Sequence, residues 1–218
     1  MQFAPFCARF VVERKTMSKV TELKKHLKRG EVYRRSDLAQ WSKAVDRHVG
    51  ELVKDGTLQK LSAGLYYYPN ESVFGNTPPD ELTLVRSFLK DDYFLVTSPN
   101  DYNSLGVGTT QLYNTRVVYN HKRHGEFKLG GRTFMFFSKH RFPTKVTPEF
   151  LLVDLVSNLD KLAEDTELVL KNVSTKLKTM DLKKLKQAVK EFGRARAKSV
   201  LIPLIQQSEV QHANRLSA

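Results

Sequence analysis

The chain has 218 residues and an apolar fraction of 40%, which is enough for folded cores and excludes a wholly disordered protein. Its formal net charge of +13 favours polyanionic partners. The single cysteine, Cys7, excludes an internal disulfide and a cysteine-based zinc site, and no apolar run approaches the ~20 residues of a membrane span. We therefore predict a cytoplasmic protein of up to two domains that has no contact with a membrane.

A helical pattern begins only after Met17, so residues 1–17 are predicted to be an extension or a mobile arm. Ser18 is the predicted cap of a first helix, and Val20, Leu23 and Leu27 form its apolar stripe. Basic residues fill the last turn of this helix, where they suit the helix dipole without any need for DNA.

The segment from Gly30 to Pro69 completes a predicted winged helix-turn-helix domain over residues 18–69. Its second helix repeats Val45, Val49 and Leu52 on one face, and Ser42 is its predicted N-cap. A hairpin then joins Leu58–Leu61 to Leu65–Tyr68 through the loop Ser62-Ala63-Gly64, because glycine suits a left-handed loop position.

The free face of the second helix is basic and contains Gly50. A glycine there permits close approach of DNA, and a tolerated surface glycine is an equally good interpretation. In helix-turn-helix proteins this helix enters the major groove, which makes Arg47 and Lys43 candidates for base or phosphate contacts. His48 lies beside the valine face and is predicted to be packed and half-buried. The complete set of predicted DNA-binding residues is Arg34, Arg35, Ser42, Lys43, Arg47, Lys54, Lys60 and Ser62.

Residues 70–80 are rich in turn-forming residues and are predicted to be an interdomain linker. The remainder, 81–218, is predicted to be an α+β domain with a small antiparallel sheet and C-terminal helices. Strand-like runs surround the pair Gly130-Gly131, which is a strong hairpin signal. Thr147 followed by Pro148 predicts a helix start, and Asp181 predicts another.

No P-loop, G-x-S-x-G or H-E-x-x-H motif occurs, so we predict no enzymatic activity, no catalytic residue and no cofactor. His121 and His124 lie in a charged hairpin tip rather than among metal ligands, and we predict no metal site. Eight basic residues between 114 and 145 allow a second nucleic-acid surface, although a basic outer sheet face is the favoured interpretation: Arg116, Lys122, Arg123, Lys128, Arg132, Lys139, Arg141 and Lys145.

Two motifs carry a resemblance to a known family. The first is GTLQKLSAGLYYYP from Gly56 to Pro69, and the second is Val153-Asp154-Leu155. With the order of parts over residues 18–160, they resemble the AbiEi antitoxins of type IV toxin–antitoxin (abortive infection) systems. This resemblance implies a winged-helix half that represses its own operon by binding promoter DNA. It also implies a C-terminal half that counteracts a nucleotidyltransferase-like toxin without binding it stably.

Carried over by position, the resemblance implies a recognition helix from Ser42 to Asp55 and a wing tip at Ser62-Ala63-Gly64. The family often has a basic residue where this chain has Ala63, which leaves Lys60 and backbone N–H groups to contact the phosphate. Two alternatives remain open: a plain winged-helix regulator without a toxin partner, and an RNA-binding protein that uses the basic middle domain. A nucleotidyltransferase-like gene next to this one would favour the antitoxin over the plain regulator. Loss of binding on changing Arg116, Arg123 and Arg132, but not on changing Arg47, would favour the RNA-binding protein.

Overall fold

A computed structural model describes residues 19–216, with side chains described as far as Val210. The predicted extension over residues 1–17 and the predicted cap Ser18 lie outside the described residues. The chain divides into two compact units, Met1–Pro78 and Pro79–Ala218. The boundary falls inside the segment 70–80 that the sequence predicts to be a linker.

Between residues 19 and 67, the first unit contains three short helices and three strands. In chain order these are α1 (Lys19–Lys25), β1 (Val32–Arg34), α2 (Arg35–Ala39), α3 (Val45–Lys54), β2 (Gln59–Ser62) and β3 (Leu65–Tyr67). The strands form an antiparallel sheet in the order β1-β3-β2. The three helices share a core with the segment before β2, and it consists of Leu23, Leu27, Leu38, Val45, Val49, Leu52 and Leu58.

The β2–β3 hairpin turns through Ala63 and Gly64, with an irregularity in pairing between Lys60 and Ser62. Gly64 has φ of +70°, the left-handed conformation that the sequence predicts for this position. The following residues are not a plain linker: β4 (Glu71–Ser72) and β5 (Gly75–Asn76) pair as a small antiparallel ribbon. Its tip holds Val73 and Phe74, both fully solvent-exposed.

The second unit combines a four-stranded sheet with five helices among the described residues. The strands are β6 (Phe94–Thr97), β7 (Thr115–Asn120), β8 (Gly125–Leu129) and β9 (Arg132–Ser138). The helices are α4 (Glu81–Leu89), α5 (Pro148–Asn158), α6 (Thr166–Lys176), α7 (Leu182–Phe192) and α8 (Ala195–Leu216), with a 3-10 helix at Pro99–Leu105. The α+β class and the C-terminal helices are therefore confirmed.

The sheet of this unit is small and mostly antiparallel, as predicted, but one of its strand pairs is parallel. Its order is β6-β7-β9-β8, and β7 and β9 run parallel, whereas the other two pairs are antiparallel. The β8–β9 hairpin forms around Gly130-Gly131 as predicted. Burial explains the strand order: Phe134 and Phe136 of β9 are inaccessible to solvent, whereas β8 exposes Glu126 and Lys128. Charged side chains suit an edge strand because they discourage further pairing.

Helices cover both faces of this sheet. On one face, the ring of Phe88 from α4 lies 5.1 Å from that of Phe127 and 5.2 Å from that of Phe136. On the other face, Tyr119 contacts Phe150 of α5 with ring centroids 6.0 Å apart. The start of α5 is the predicted one, because the Thr147 hydroxyl accepts from the Phe150 N–H and Pro148 follows the cap.

The C-terminal helices pack around α5, whose residues from Phe150 to Ser157 are all buried. The Asp181 carboxylate accepts from the Lys184 N–H, so the predicted cap of α7 is confirmed. Pro203 lies inside α8, and the helix continues from Ala195 to Leu216. No helix within residues 19–216 is long and apolar enough to cross a membrane.

One buried carboxylate, Asp154 of α5, joins α5 to the sheet. It accepts from the hydroxyls of Tyr102 (2.8 Å) and Tyr119 (2.7 Å), and the Lys139 ammonium lies 3.6 Å from one of its oxygens. Lys139 also lies 3.6 Å above the Tyr119 ring. The charge is therefore both paired and hydrogen-bonded, as a buried carboxylate requires.

This cluster is expected to make the stability of the second unit fall at alkaline pH. Burial and the negative charge of Asp154 raise the pKa of Tyr102 and of Tyr119 above the ordinary value of 10.0. Above pH 10 the unfolded chain therefore loses phenol protons that the folded chain keeps. The stabilisation present below pH 10 is lost at about 1.4 kcal/mol per tyrosine per pH unit.

Urea unfolding between pH 10.5 and 11.5, compared with Tyr119→Phe, measures this loss, and the variant is expected to show a shallower fall. Burial lowers the pKa of Lys139, which gives an effect of opposite sign, but this effect ends near pH 10.5 because the unfolded lysine titrates there. Equal slopes for both proteins would contradict the assignment.

Candidate nucleic-acid interface

The exposed face of α3 carries positive charge that acidic neighbours partly offset. Arg47, Gly50, Glu51 and Lys54 follow helical spacing on this face. The Arg47 side chain is 69% exposed, and its Nε lies 3.9 Å from a Glu51 carboxylate oxygen. Such an exposed pair at i,i+4 is weak, so the guanidinium is free to exchange Glu51 for another anion.

The start of α3 differs from the prediction. The helix begins at Val45, and its N-cap residue, Ala44, has no side-chain capping bond. Ser42 is buried instead, with its hydroxyl 2.7 Å from His48 Nδ1. The Arg47 guanidinium donates to His48 Nε2 at 3.2 Å, so Nδ1 carries the ring proton and donates to Ser42. Ser42 is therefore neither the helix cap nor an exposed ligand group.

His48 is packed as predicted, although it is fully rather than half buried. Lys43 precedes α3 and is exposed. The recognition helix expected over Ser42–Asp55 is thus shorter, and Lys43 belongs to the turn that leads into it. Lys43 therefore lies before α3, and Arg47 lies in the first turn of that helix.

Both arginines at the start of α2 are held by carboxylates. The Arg35 guanidinium donates to the two oxygens of Asp46 at 2.6 Å each, and these hydrogen bonds lower the pKa of Asp46. Arg34 donates to Asp37 at 2.9 Å. Burial raises the pKa of Asp37, but the hydrogen bonds from Arg34 outweigh it, and the pKa is lowered. An anion that binds Arg34 or Arg35 must therefore compete with a carboxylate already in place.

The β2–β3 hairpin lies beside the start of α2. The Arg35 N–H donates to the Gly64 carbonyl at 2.9 Å, which joins the hairpin tip to the first residue of α2. Lys60 and Ala63 are exposed, and Ser62 is half-buried. Of the predicted residues, Arg35, Lys43, Arg47, Lys54 and Lys60 present exposed side chains. Arg34 and Arg35 are paired with carboxylates, whereas Ser42 is buried.

The acidic residues of this surface were missed by the sequence analysis. The signal for Glu51 was present, because Arg47 and Glu51 are spaced i,i+4 on a predicted helix. The pairing of Arg35 with Asp46 spans 11 residues and a turn, so no local pattern indicated it. Together these carboxylates reduce the net positive charge of this surface.

Four of the eight basic residues between 114 and 145 pair with carboxylates of the second unit. Arg116 and Arg132 pair with Glu81, Lys122 pairs with Asp91, and Lys139 pairs with Asp154. His121 stacks on Tyr93 at 5.1 Å between ring centroids. Among the described side chains, residues 19–210, no group of three or more histidine, cysteine, aspartate or glutamate residues is placed to hold a metal ion.

Comparison of the sequence with protein families and with curated proteins finds no match. Among solved structures, the chain is similar to the crystal structure of the RV2827C protein from Mycobacterium tuberculosis. The TM-score is 0.55 at 15% sequence identity, and the match covers 87% of this chain and 75% of that chain. At this identity the likeness concerns the fold alone.

Proposed function

We propose that this protein is a DNA-binding transcriptional repressor that also serves as the antitoxin of a type IV toxin–antitoxin system. The observation that carries the DNA-binding half is the order of parts in the first unit. Two helices, α2 and α3, are followed by an antiparallel hairpin whose tip bonds to the residue that begins α2, and α3 exposes Arg47 and Lys54. This order of elements supports the proposal that the first unit is a winged helix-turn-helix.

In the proposed complex, α3 enters the major groove with Arg47 and Lys43 at base edges. Lys54 and Lys60 neutralise phosphates, and Arg34 and Arg35 join them by exchanging their carboxylate partners for phosphate. Ser42 contributes indirectly, because its hydrogen bond with His48 fixes the ring beneath Arg47. We omit it from the contact set.

Gly50 provides a test of how closely α3 approaches DNA. A Cβ atom built at this glycine meets nothing within 4 Å, so the protein itself does not require glycine there. Gly50→Ala is expected to raise the stability of the first unit by up to about 1 kcal/mol, because alanine favours the helix. The same variant is expected to weaken promoter binding about tenfold, or 1.4 kcal/mol, because the added methyl group separates the two surfaces.

Thermal unfolding and fluorescence anisotropy with labelled promoter DNA measure the two effects. A variant that gains stability and binds DNA with unchanged affinity would identify Gly50 as an ordinary surface glycine.

The antitoxin half of the proposal rests on the AbiEi resemblance and on the second unit that follows the DNA-binding one. The motif Val153-Asp154-Leu155 lies in the buried helix α5, so we assign it to the core of the second unit and not to its surface. In this proposal the second unit counteracts a nucleotidyltransferase-like toxin without forming a stable complex. The alternative is a plain regulator that has no toxin partner.

Co-expression of the full chain with the product of a toxin-like neighbouring gene tests this half. The proposal expects restored growth, both for the unchanged protein and for Lys43→Ala/Arg47→Ala, with the toxin under an independent promoter. If neither protein restores growth while the unchanged protein still represses the upstream promoter, the result would favour the plain regulator.

A further inference from the structure

A polar cavity of about 530 Å³ lies in the second unit, where β7 and β9 begin. Its lining includes Glu81 of α4, Arg116 of β7, and Arg132 and Thr133 of β9. Tyr113 and Asn114, which precede β7, also line it. We call it the Arg116–Arg132 cavity. Its volume lies within the roughly 300–1,000 Å³ of small-molecule sites.

Two arginines meet one carboxylate in this cavity. Arg116 Nε lies 3.0 Å from a Glu81 oxygen, and Arg132 Nη1 lies 2.9 Å from the same oxygen. Two guanidinium charges against one carboxylate leave the cavity with an excess positive charge. Each guanidinium has five N–H donors, and Glu81 accepts from only one edge of each. The pair therefore retains both the charge and the hydrogen-bond donors to receive an anion.

The wall beside the arginines is held rigidly. The Asn100 side chain accepts from the Tyr113 N–H at 2.7 Å and donates to the Tyr113 carbonyl at 3.0 Å. The Tyr113 hydroxyl accepts from the Ala163 N–H at 2.9 Å. Tyr113 is thus fixed at its backbone and at its hydroxyl, and this part of the cavity lining is preformed, which reduces the cost of ordering it around a ligand.

We infer that the Arg116–Arg132 cavity binds the phosphate group of a small phosphorylated ligand, either a nucleotide or free phosphate. Paired guanidiniums suit phosphate because their N–H groups form parallel charge-assisted hydrogen bonds with its oxygens. Glu81 orients both arginines toward a common point. Tyr113, Asn114 and Thr133 also line the cavity, and residues of these types can form the polar and aromatic contacts that the rest of a nucleotide needs.

Isothermal titration calorimetry of the full chain at about 0.15 M salt tests this inference, with ATP, inorganic phosphate and adenosine as separate probes. Saturable binding of ATP at one site per chain, without binding of adenosine, is the expected result. Equal affinity for phosphate and ATP would assign the site to free phosphate. Absence of binding of both anions at millimolar concentration would overturn the inference.

Variants connect the binding to the cavity. Arg116→Gln and Arg132→Gln are each expected to lower the affinity at least about tenfold, as loss of a charge-assisted contact requires. Arg86→Gln is the matched control, because Arg86 is an exposed arginine that pairs with Asp92 outside the cavity. Glu81→Gln keeps the side-chain shape, removes the competing charge and is expected to tighten binding.

Lys43→Ala/Arg47→Ala separates this site from the proposed DNA surface and is expected to leave ATP binding unchanged. ATP binding that this double variant abolishes, or that survives both cavity arginine substitutions, would overturn the assignment. If the unchanged protein does not bind promoter DNA, the assignment of ATP binding to the cavity still stands, because the two sites lie in different units.

Discussion

Replacing Arg47 with alanine is expected to weaken binding to the promoter DNA by about 1–3 kcal/mol, the usual effect of losing one base contact. The guanidinium is 69% exposed on α3, and its partner Glu51 holds it only weakly, at 3.9 Å. If Arg47 reads a base, the loss is confined to the operator and specificity is relaxed at one position. Fluorescence anisotropy with operator DNA and with a scrambled duplex measures both affinities.

The matched control for this substitution is Arg86→Ala. It removes the same charge from the exposed side of another helix, α4, in the second unit, and its own carboxylate partner, Asp92, is also exposed. The control is expected to bind operator DNA like the unchanged protein. Equal weakening of operator and scrambled DNA by Arg47→Ala would instead identify Arg47 as a phosphate contact.

Replacing Asp154 with alanine is expected to destabilise the second unit by about 3–5 kcal/mol, the usual effect of removing one partner of a buried ion pair. The substitution leaves the hydroxyls of Tyr102 and Tyr119 without their acceptor, and it leaves the largely buried Lys139 ammonium without its counter-charge. It also opens a space between α5 and the sheet. Such a loss is a large fraction of the stability of a typical domain.

Urea unfolding followed by circular dichroism measures this effect, with two companion variants. Asp154→Asn retains one acceptor oxygen and is expected to lose less stability. Asp165→Ala removes an exposed carboxylate that caps α6 by accepting from the Leu168 N–H, and about 1 kcal/mol is expected from the loss of the cap. If Asp154→Ala costs no more than Asp165→Ala, then the buried cluster does not hold α5 to the sheet.

The periodic elements could be predicted from the sequence because burial of one face leaves a local pattern. Val45, Val49 and Leu52 marked α3, and all three are buried. The start of α5 at Thr147-Pro148, the cap at Asp181 and the turn at Gly130-Gly131 were likewise local signals. Each depends on residues within one or two turns of chain, where side-chain chemistry determines the backbone.

The features that were missed depend on distant parts of the chain. The parallel pairing of β7 with β9 follows from which strand buries its phenylalanines, and strand propensity does not contain that information. Ser42 has the chemistry of a cap, but it serves the buried His48 because α3 begins three residues later. Likewise, Glu81 meets Arg116 and Arg132 only through tertiary structure. The basic residues between 114 and 145 therefore gave no sign in the sequence that two of them form an ion-pair cluster with Glu81.

The central claim is that the first unit binds promoter DNA through α3, and one experiment tests it most directly. A gel-shift assay compares the full chain with Lys43→Ala/Arg47→Ala on the DNA upstream of the gene and on a scrambled duplex, at about 50 and 200 mM salt. We expect the unchanged protein to prefer the upstream DNA. Its affinity should fall about 100-fold between the two salts if four cations neutralise phosphates, and the double variant should lose the preference. Binding without sequence preference, or binding that the double variant retains, would contradict the claim and shift attention to the basic second unit.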